Sequence, residues 1–524
     1  MMSNRIDGAV SAAQSNGGGC CAGGPASDQQ DVTPAEQAAA AGGRRESALP
    51  VVVIGAGPIG LAAAAHVAER GLDFLVLEAG AQPGAAIAEW GHVRLFSPWR
   101  YDTDTAARRL LEATGWAAPP PDVLPTGAEL VRDYLVPLAQ VPALAGRIRT
   151  RTRVVAVTRH DVDATRTVGR DERPLLVRTV DAEGRVQDIV ARAVIDASGT
   201  WGQGNPLGHS GLPAPGEEQA APYITGPLPD VLGRDRERFA GRHTLVVGMG
   251  HSAANTLLAL AELAAAEPGT RVTWAVRGAS VTRLYGGGDA DALPARGAIG
   301  TRLKQAVSSG AIELVRRFTI TALTTPDAGG PVRVHGTTPD GDRVLAAETV
   351  VAATGFRPEL GMLREVRTEL DPATEAPVKL APMIDPNFHS CGTVPPHGER
   401  ELAHPEKGFY IAGAKSYGRA PTFLMATGYE QVRSVVAALA GDRAAADSVE
   451  LALPETGVCS TDLVTDENEN ADAGEASCCG TGTPQPITLG VPVAVGASGG
   501  QGPRLGFATG HEHGYSGEAE RGDL

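Results

Sequence analysis

The chain has 524 residues, 42% of them apolar, and a net charge of −15. That is enough for two or three domains with buried cores, and the acidic balance argues against a nucleic-acid partner. No run approaches about eighteen apolar residues and no charged-then-apolar leader opens the chain, so the expectation is a soluble, cytoplasmic protein without a membrane partner.

Residues 1–47 are rich in Gly, Ala, Ser and Gln without apolar periodicity, and predict a disordered lead-in. Structure is expected from 48 on. Val51-Val52-Val53-Ile54 is a buried-strand run. It leads into Gly55-Ala56-Gly57-Pro58-Ile59-Gly60 and an alanine-rich helix. The first glycine of such a loop makes the tight turn, the second lets backbone amides approach a diphosphate at the positive helix end, and the third allows close packing of helix on strand. The next strand, from Asp73, ends in Glu78-Ala79, about twenty residues on, where a carboxylate accepts hydrogen bonds from a ribose diol. The reading is FAD, because in this architecture the N-terminal copy holds the flavin.

An aromatic and basic run containing Arg94 and Trp99 follows, then a helix between Asp122 and Gln140 with Thr126 as its cap. Strands are expected at about 150–158, 174–181 and 186–196, the last running into Ala197-Ser198-Gly199. Leu245-Val246-Val247-Gly248-Met249-Gly250-His251-Ser252-Ala253 repeats the strand–glycine–helix pattern. Its second strand ends in Arg277, a guanidinium suited to a 2′-phosphate, so NADPH is expected here over NADH. A further apolar strand ends in Thr354-Gly355, and the segment to Gly413-Ala414 and its following helix returns the chain to the first domain. The fold class is therefore α/β, two Rossmann-like dinucleotide-binding domains with the first interrupted by the second. The first occupies 48–235 and 341–445, and the second 236–340. Residues 446–524 predict an acidic disordered tail, with thirteen Asp or Glu against two Arg, which accounts for −11 of the net charge.

This order of motifs resembles the flavoproteins with two dinucleotide-binding domains, among them the flavin-containing monooxygenases and the thioredoxin-reductase-like enzymes. The resemblance covers about 50–440 and implies FAD and NADPH as cofactors. Within that group, the stretches Asp385–Gly398 and Ala414–Phe423 resemble the flavoprotein monooxygenases of bacterial arsenic-resistance clusters. Two departures stand out. Relatives end the last strand in Gly-Asp, whose carboxylate holds the ribityl chain of the flavin, where this chain has Gly413-Ala414-Lys415. The histidine-centred signature of Baeyer–Villiger monooxygenases is also missing between the two glycine loops.

Six cysteines, Cys20, Cys21, Cys391, Cys459, Cys478 and Cys479, are too few and too clustered to staple such a chain, and are expected to be reduced. None stands where a flavin-linked dithiol would. Reduced flavin should therefore meet oxygen or a bound acceptor, and a protein that excludes water can direct one oxygen atom to a soft nucleophile. Arg94, Trp99, Lys415, Tyr417 and Arg419 are the candidates for lining that site. Cys391 with His389 and His397 matches no standard zinc spacing. The pairs Cys20-Cys21 and Cys478-Cys479 can chelate a soft ion such as arsenite or mercury, or be incidental. Leu453–Gly457 spells a sortase signal with no span behind it and is read as chance. The expected activity is an NADPH-dependent flavin monooxygenase acting on a small molecule, with a link to arsenic resistance. The alternatives are a metalloid-binding flavoprotein and a metal-ion or quinone-type reductase.

Overall fold

The computed structural model describes residues 49–285, 293–326, 329–385, 394–420 and 423–451. The cysteine pairs, Cys391, His389 and both terminal segments lie outside these residues.

Val51–Ile54 is buried at all four positions because it is the middle strand of a five-stranded parallel sheet. Phe74–Leu77 lies on one side and Ala193–Asp196 on the other, with Ile148–Arg149 and Phe409–Ile411 at the edges. A strand paired on both edges and covered on both faces must be apolar along its whole length, which is why the sequence shows continuous runs instead of alternation. Helix α1 (Pro58–Glu69) carries Pro at its first position and buries Ala62, Ala63, Ala64 and Ala65 completely. Such small side chains let α1 lie between the sheet and the C-terminal helix that returns to it. The expected capping of the helical segment before this sheet's edge is present: Thr126 accepts from the amide of Glu129 and Glu129 accepts from the amide of Thr126.

Three antiparallel strands, Thr152–Arg159, Leu175–Asp181 and Val186–Ala191, form a separate sheet. It is tied to the C-terminal part of the chain by one buried carboxylate, Glu406, which pairs with Arg159 at 2.6 Å and Arg170 at 2.7 Å.

The second parallel sheet has the order Glu313–Val315, Arg271–Ala275, His243–Val247, Thr349–Ala352, Ile224–Thr225. It draws on chain to either side of 236–340, because the strand beside the central one comes from 349–352 and a short edge strand from 224–225. Helix α2 (His251–Ala266) packs on it through Leu257, Leu260 and Leu263. The antiparallel strands Thr319–Thr324, Val332–Thr338 and Gly341–Ala347 complete this half.

The two passages between the halves run side by side. Asn205 donates its amide N–H to Gly355 O at 2.9 Å, accepts from Arg357 Nε through Oδ1 at 3.0 Å, and receives the Thr354 hydroxyl on its carbonyl. The rings of Trp201 and Phe356 stand 5.2 Å apart across the same junction. Among the described residues no helix is long and apolar enough to cross a membrane.

Candidate functional site

In both parallel sheets the central strand has neighbours whose connections leave in opposite directions, and ligands bind at such a switch point, outside the carboxyl ends of the strands. The glycines there divide the work by position. Gly55 has a φ of +97°, and a Cβ on it would stand 2.8 Å from Ala197 O; a Cβ on Gly60 would overlap Gly55 O. A Cβ on Gly57 would meet nothing within 4 Å. The outer two glycines are thus required by the protein's own backbone, whereas the space in front of the middle one is left open by the protein's own atoms. The second loop repeats the pattern. Gly248 (φ +131°) presses on Ala353 O, and Gly250 faces open space. Each loop opens a helix with no acidic residue in its first turn, as an anion-binding helix end requires.

Around the first loop the fold brings together Pro58, Ile59, Glu78, Ala79, Ser198, Gly199, Gly413 and Ala414, all at the carboxyl ends of one sheet. Glu78 is held rigid: its carboxylate accepts from the amides of Ala56 at 2.7 Å and Gly80 at 2.6 Å. The turn after the last strand is fixed by Gln431, which is fully buried. Its Oε1 accepts from the amide of Gly413 at 2.8 Å, and its amide nitrogen lies 2.9 Å from both Ser416 Oγ and His397 Nε2. Burial lowers the pKa of His397. Its Nδ1 lies 3.0 Å from Pro395 O, so the neutral ring donates there and accepts from Gln431. His397 is therefore engaged in packing this turn, and the described residues contain no group of three metal-ligating side chains.

Around the second loop, Ser252, Ala253, Arg277, Thr354 and Gly355 converge. A groove of about 590 Å³ runs from Gly250 and Arg277 past Thr354 to Ala414, Gly418 and Arg419. It thus leads from the second cradle to the turn after the last strand of the first sheet. Arg277 is exposed and, among the described residues, has no ion-pair partner.

Of the five proposed lining residues, the groove takes in Arg419 alone. Lys415 is wholly buried against Asp196. Tyr417 is 3% exposed and packs between the rings of His397 and Phe423, and Trp99 is 4% exposed in the core beneath α1. Arg94 lies on the outside, donating to Leu124 O and standing 3.8 Å from Glu129. Aromatic rings are drawn to the core by their apolar area, and an arginine in a loop goes where a carbonyl and a carboxylate are within reach. The sequence reading missed Asp196, Gln431, Asn205 and Trp274, whose Nε1 donates to Gly248 O at 2.7 Å. Only Asp196 left a legible signal, a carboxylate closing an otherwise apolar strand.

Two glycine cradles, the second opening into a groove that reaches the turn after the last strand of the first sheet, define a two-dinucleotide oxidoreductase fold. The chain belongs to the pyridine nucleotide-disulphide oxidoreductase family, which matches residues 52–379. It is accordingly a flavin- and NAD(P)H-dependent oxidoreductase, with FAD and a nicotinamide dinucleotide as cofactors. Solved structures of the same fold include a bacillithiol disulfide reductase from Bacillus cereus, with a TM-score of 0.55 and 19% identity over 75% of this chain and 99% of that one. An FAD-bound cadaverine monooxygenase of desferrioxamine biosynthesis from Erwinia amylovora gives 0.51 and 14% over 79% and 98%. An ornithine N-hydroxylase from Kutzneria sp. 744 gives 0.50 and 15% over 76% and 99%. No curated protein sequence matches the chain.

Proposed function

We propose that the chain is an NADPH-dependent flavin monooxygenase of a small molecule. The observation that carries this reading is the groove, which ends in the exposed Arg277 guanidinium, without an ion-pair partner among the described residues, at one end and in the flavin-side turn at the other. No cysteine lies between Cys21 and Cys391, and so none lies within the matched family region. Electrons therefore have no dithiol to enter beside the flavin, although the family's name records that route in other members.

The residues divide the task. Gly57 leaves room for the FAD diphosphate and Glu78 accepts the adenosine-ribose hydroxyls. Gly250 leaves room for the NADPH diphosphate, and Arg277 pairs with its 2′-phosphate. FAD, when bound, supplies hydride acceptance from NADPH and electron transfer to oxygen. Arg419, at the flavin-side end of the groove, is placed to meet the acceptor. The resemblance of 385–398 and 414–423 to monooxygenases of arsenic-resistance clusters makes a trivalent arsenical the first substrate to try. The cysteine-pair tails are proposed to bind soft metalloid without taking part in turnover.

The test is oxygen uptake against NADPH loss by the holoenzyme, with and without arsenite. Arsenite-stimulated uptake at one oxygen per NADPH is expected. NADPH oxidation that proceeds equally without oxygen when a quinone or metal ion is supplied would replace the monooxygenase with a reductase. Removing residues 1–45 and 452–524, a cut that leaves the helix Arg443–Asp447 and its contacts with Arg400 and Ser434 whole, is expected to spare FAD content and NADPH oxidation and to abolish most stoichiometric arsenite binding.

A further inference from the structure

The carboxyl end of Ala193–Asp196 holds two charged groups with no exposed side-chain surface. Lys415 Nζ lies 2.7 Å from Asp196 Oδ2, and neither side chain is accessible. Taking two charges out of water costs more than an apolar pair of equal size, so stability alone gives no reason for them. Their effect is on a third residue. Ser198, two positions beyond Asp196, is exposed, yet its hydroxyl is committed on two sides. It donates to Asp196 Oδ1 at 2.6 Å and accepts from Lys415 Nζ at 3.2 Å, while its backbone N–H also donates to Asp196 Oδ1, at 3.1 Å.

A serine hydroxyl has one proton and two lone pairs. With the proton given to Asp196 and one lone pair taken by Lys415, what remains is a single acceptor position. A hydroxyl that normally turns to suit its partner is here fixed as an acceptor, and it refuses phosphate oxygens and carbonyls. The order of the sheet says what reaches it. Glu78 closes the strand on one side of Val51–Ile54, Gly57 stands at the centre, and Ser198 follows the strand on the other side. A Cβ on Gly55 would stand 3.1 Å from Ser198 Cα, so the serine adjoins the diphosphate loop. A dinucleotide laid across these three places its adenosine ribose at Glu78, its diphosphate at Gly57 and the polyol that follows at Ser198.

We infer that Ser198 Oγ is the acceptor for a ribityl hydroxyl of FAD, and that Lys415 and Asp196 are positioning residues that hold it in that state. This rests on the reading of the first cradle as the FAD site. It accounts for a last strand that ends in Gly413-Ala414-Lys415 without a carboxylate: the acceptor has moved to the neighbouring turn, and the lysine orients it from within.

The experiment measures FAD affinity of the apoprotein by flavin fluorescence, with 2′,5′-ADP binding as the control for the second cradle. Ser198→Ala is expected to weaken FAD about tenfold and leave 2′,5′-ADP unaffected, with Ser198→Thr restoring most of the loss. Lys415→Met is expected to weaken FAD similarly, because the hydroxyl loses one of the two partners that orient it, and Ser198→Ala to add nothing in that background, since the oriented acceptor is already lost. Wild-type protein is also titrated with FAD analogues deoxygenated singly along the ribityl chain. One analogue is expected to bind about tenfold more weakly, and to bind wild type and Ser198→Ala alike. Equal affinity of wild type for every analogue, unchanged FAD affinity in Ser198→Ala, or additive losses in the double variant each overturn the inference. Gly57→Val separates the two levels. If it retains FAD, the cradle assignment fails; if it loses FAD while the Ser198 arms are silent, only the ribityl contact fails.

Discussion

The two cradles differ at their third position, and the difference shows how tightly each is built. At Gly60 any side chain would overlap the backbone of Gly55, whereas Ala253 carries its methyl fully buried without such a conflict. The first helix therefore sits closer to its own loop than the second. The residues that follow the second strands differ as well: Glu78 is bound to two loop amides, and Arg277 is exposed and has no ion-pair partner among the described residues. The first cradle is pre-assembled, as suits a cofactor that stays. The second keeps Arg277 in solvent, as would suit a cofactor that comes and goes.

The strongest way to break this comparison is Gly60→Ala. It should cost about 1–3 kcal/mol and empty the flavin site, seen as a lowered denaturation midpoint and colourless protein. A yellow, wild-type-like variant would show that the first helix has room. Next in size is Arg277→Ala, expected to raise the KM for NADPH about 10- to 100-fold and leave that for NADH unchanged, since only the 2′-phosphate is proposed to pair with it. Equal losses for both nucleotides would move the 2′-phosphate elsewhere.

Protons should distinguish the halves more gently. Asp102, buried beneath the first sheet's helices, has its carboxyl pushed up to about 7 by burial, against the pull of the Ser97 hydroxyl. The folded chain thus keeps a proton that the unfolded chain releases near pH 4, so this contribution to stability falls as pH rises from about 4 to 7 and is level beyond. His243, half-buried at the start of the second sheet's central strand, is shifted the other way by desolvation and then by Arg271. Its contribution is full above the ordinary histidine value of about 6.5 and is lost as pH falls. Asp102→Asn should therefore gain on wild type at pH 8 and not at pH 4, read from urea midpoints. A gain of equal size at both would remove the buried proton. The smallest effect is expected for Ala253→Gly, about 1–2 kcal/mol from helix propensity and the loss of one buried methyl, with NADPH binding kept.

The glycine spacing and the apolar runs before each loop were legible in the sequence because they are local, as were the positions of Glu78 and Arg277 just beyond the second strands. A tight turn, a buried strand and a helix start are set by residues within a few positions of one another. The Thr126 cap was legible for the same reason. The aromatic and basic candidates were not: Arg94, Trp99, Lys415 and Tyr417 have the chemistry of a substrate site, but residue type does not say which way a side chain points. Lys415 turns inward to a carboxylate 219 positions earlier in the chain. That meeting exists only because the strands Ala193–Asp196 and Phe409–Ile411 lie side by side. The groove likewise depends on Thr354 and Gly355 being brought to the second loop from a strand about a hundred residues downstream. The sequence by itself determined two dinucleotide cradles and their ligand chemistry. Tertiary structure decided which polar groups face the ligands, because burial and long-range strand pairing, not local spacing, fix the direction of each side chain.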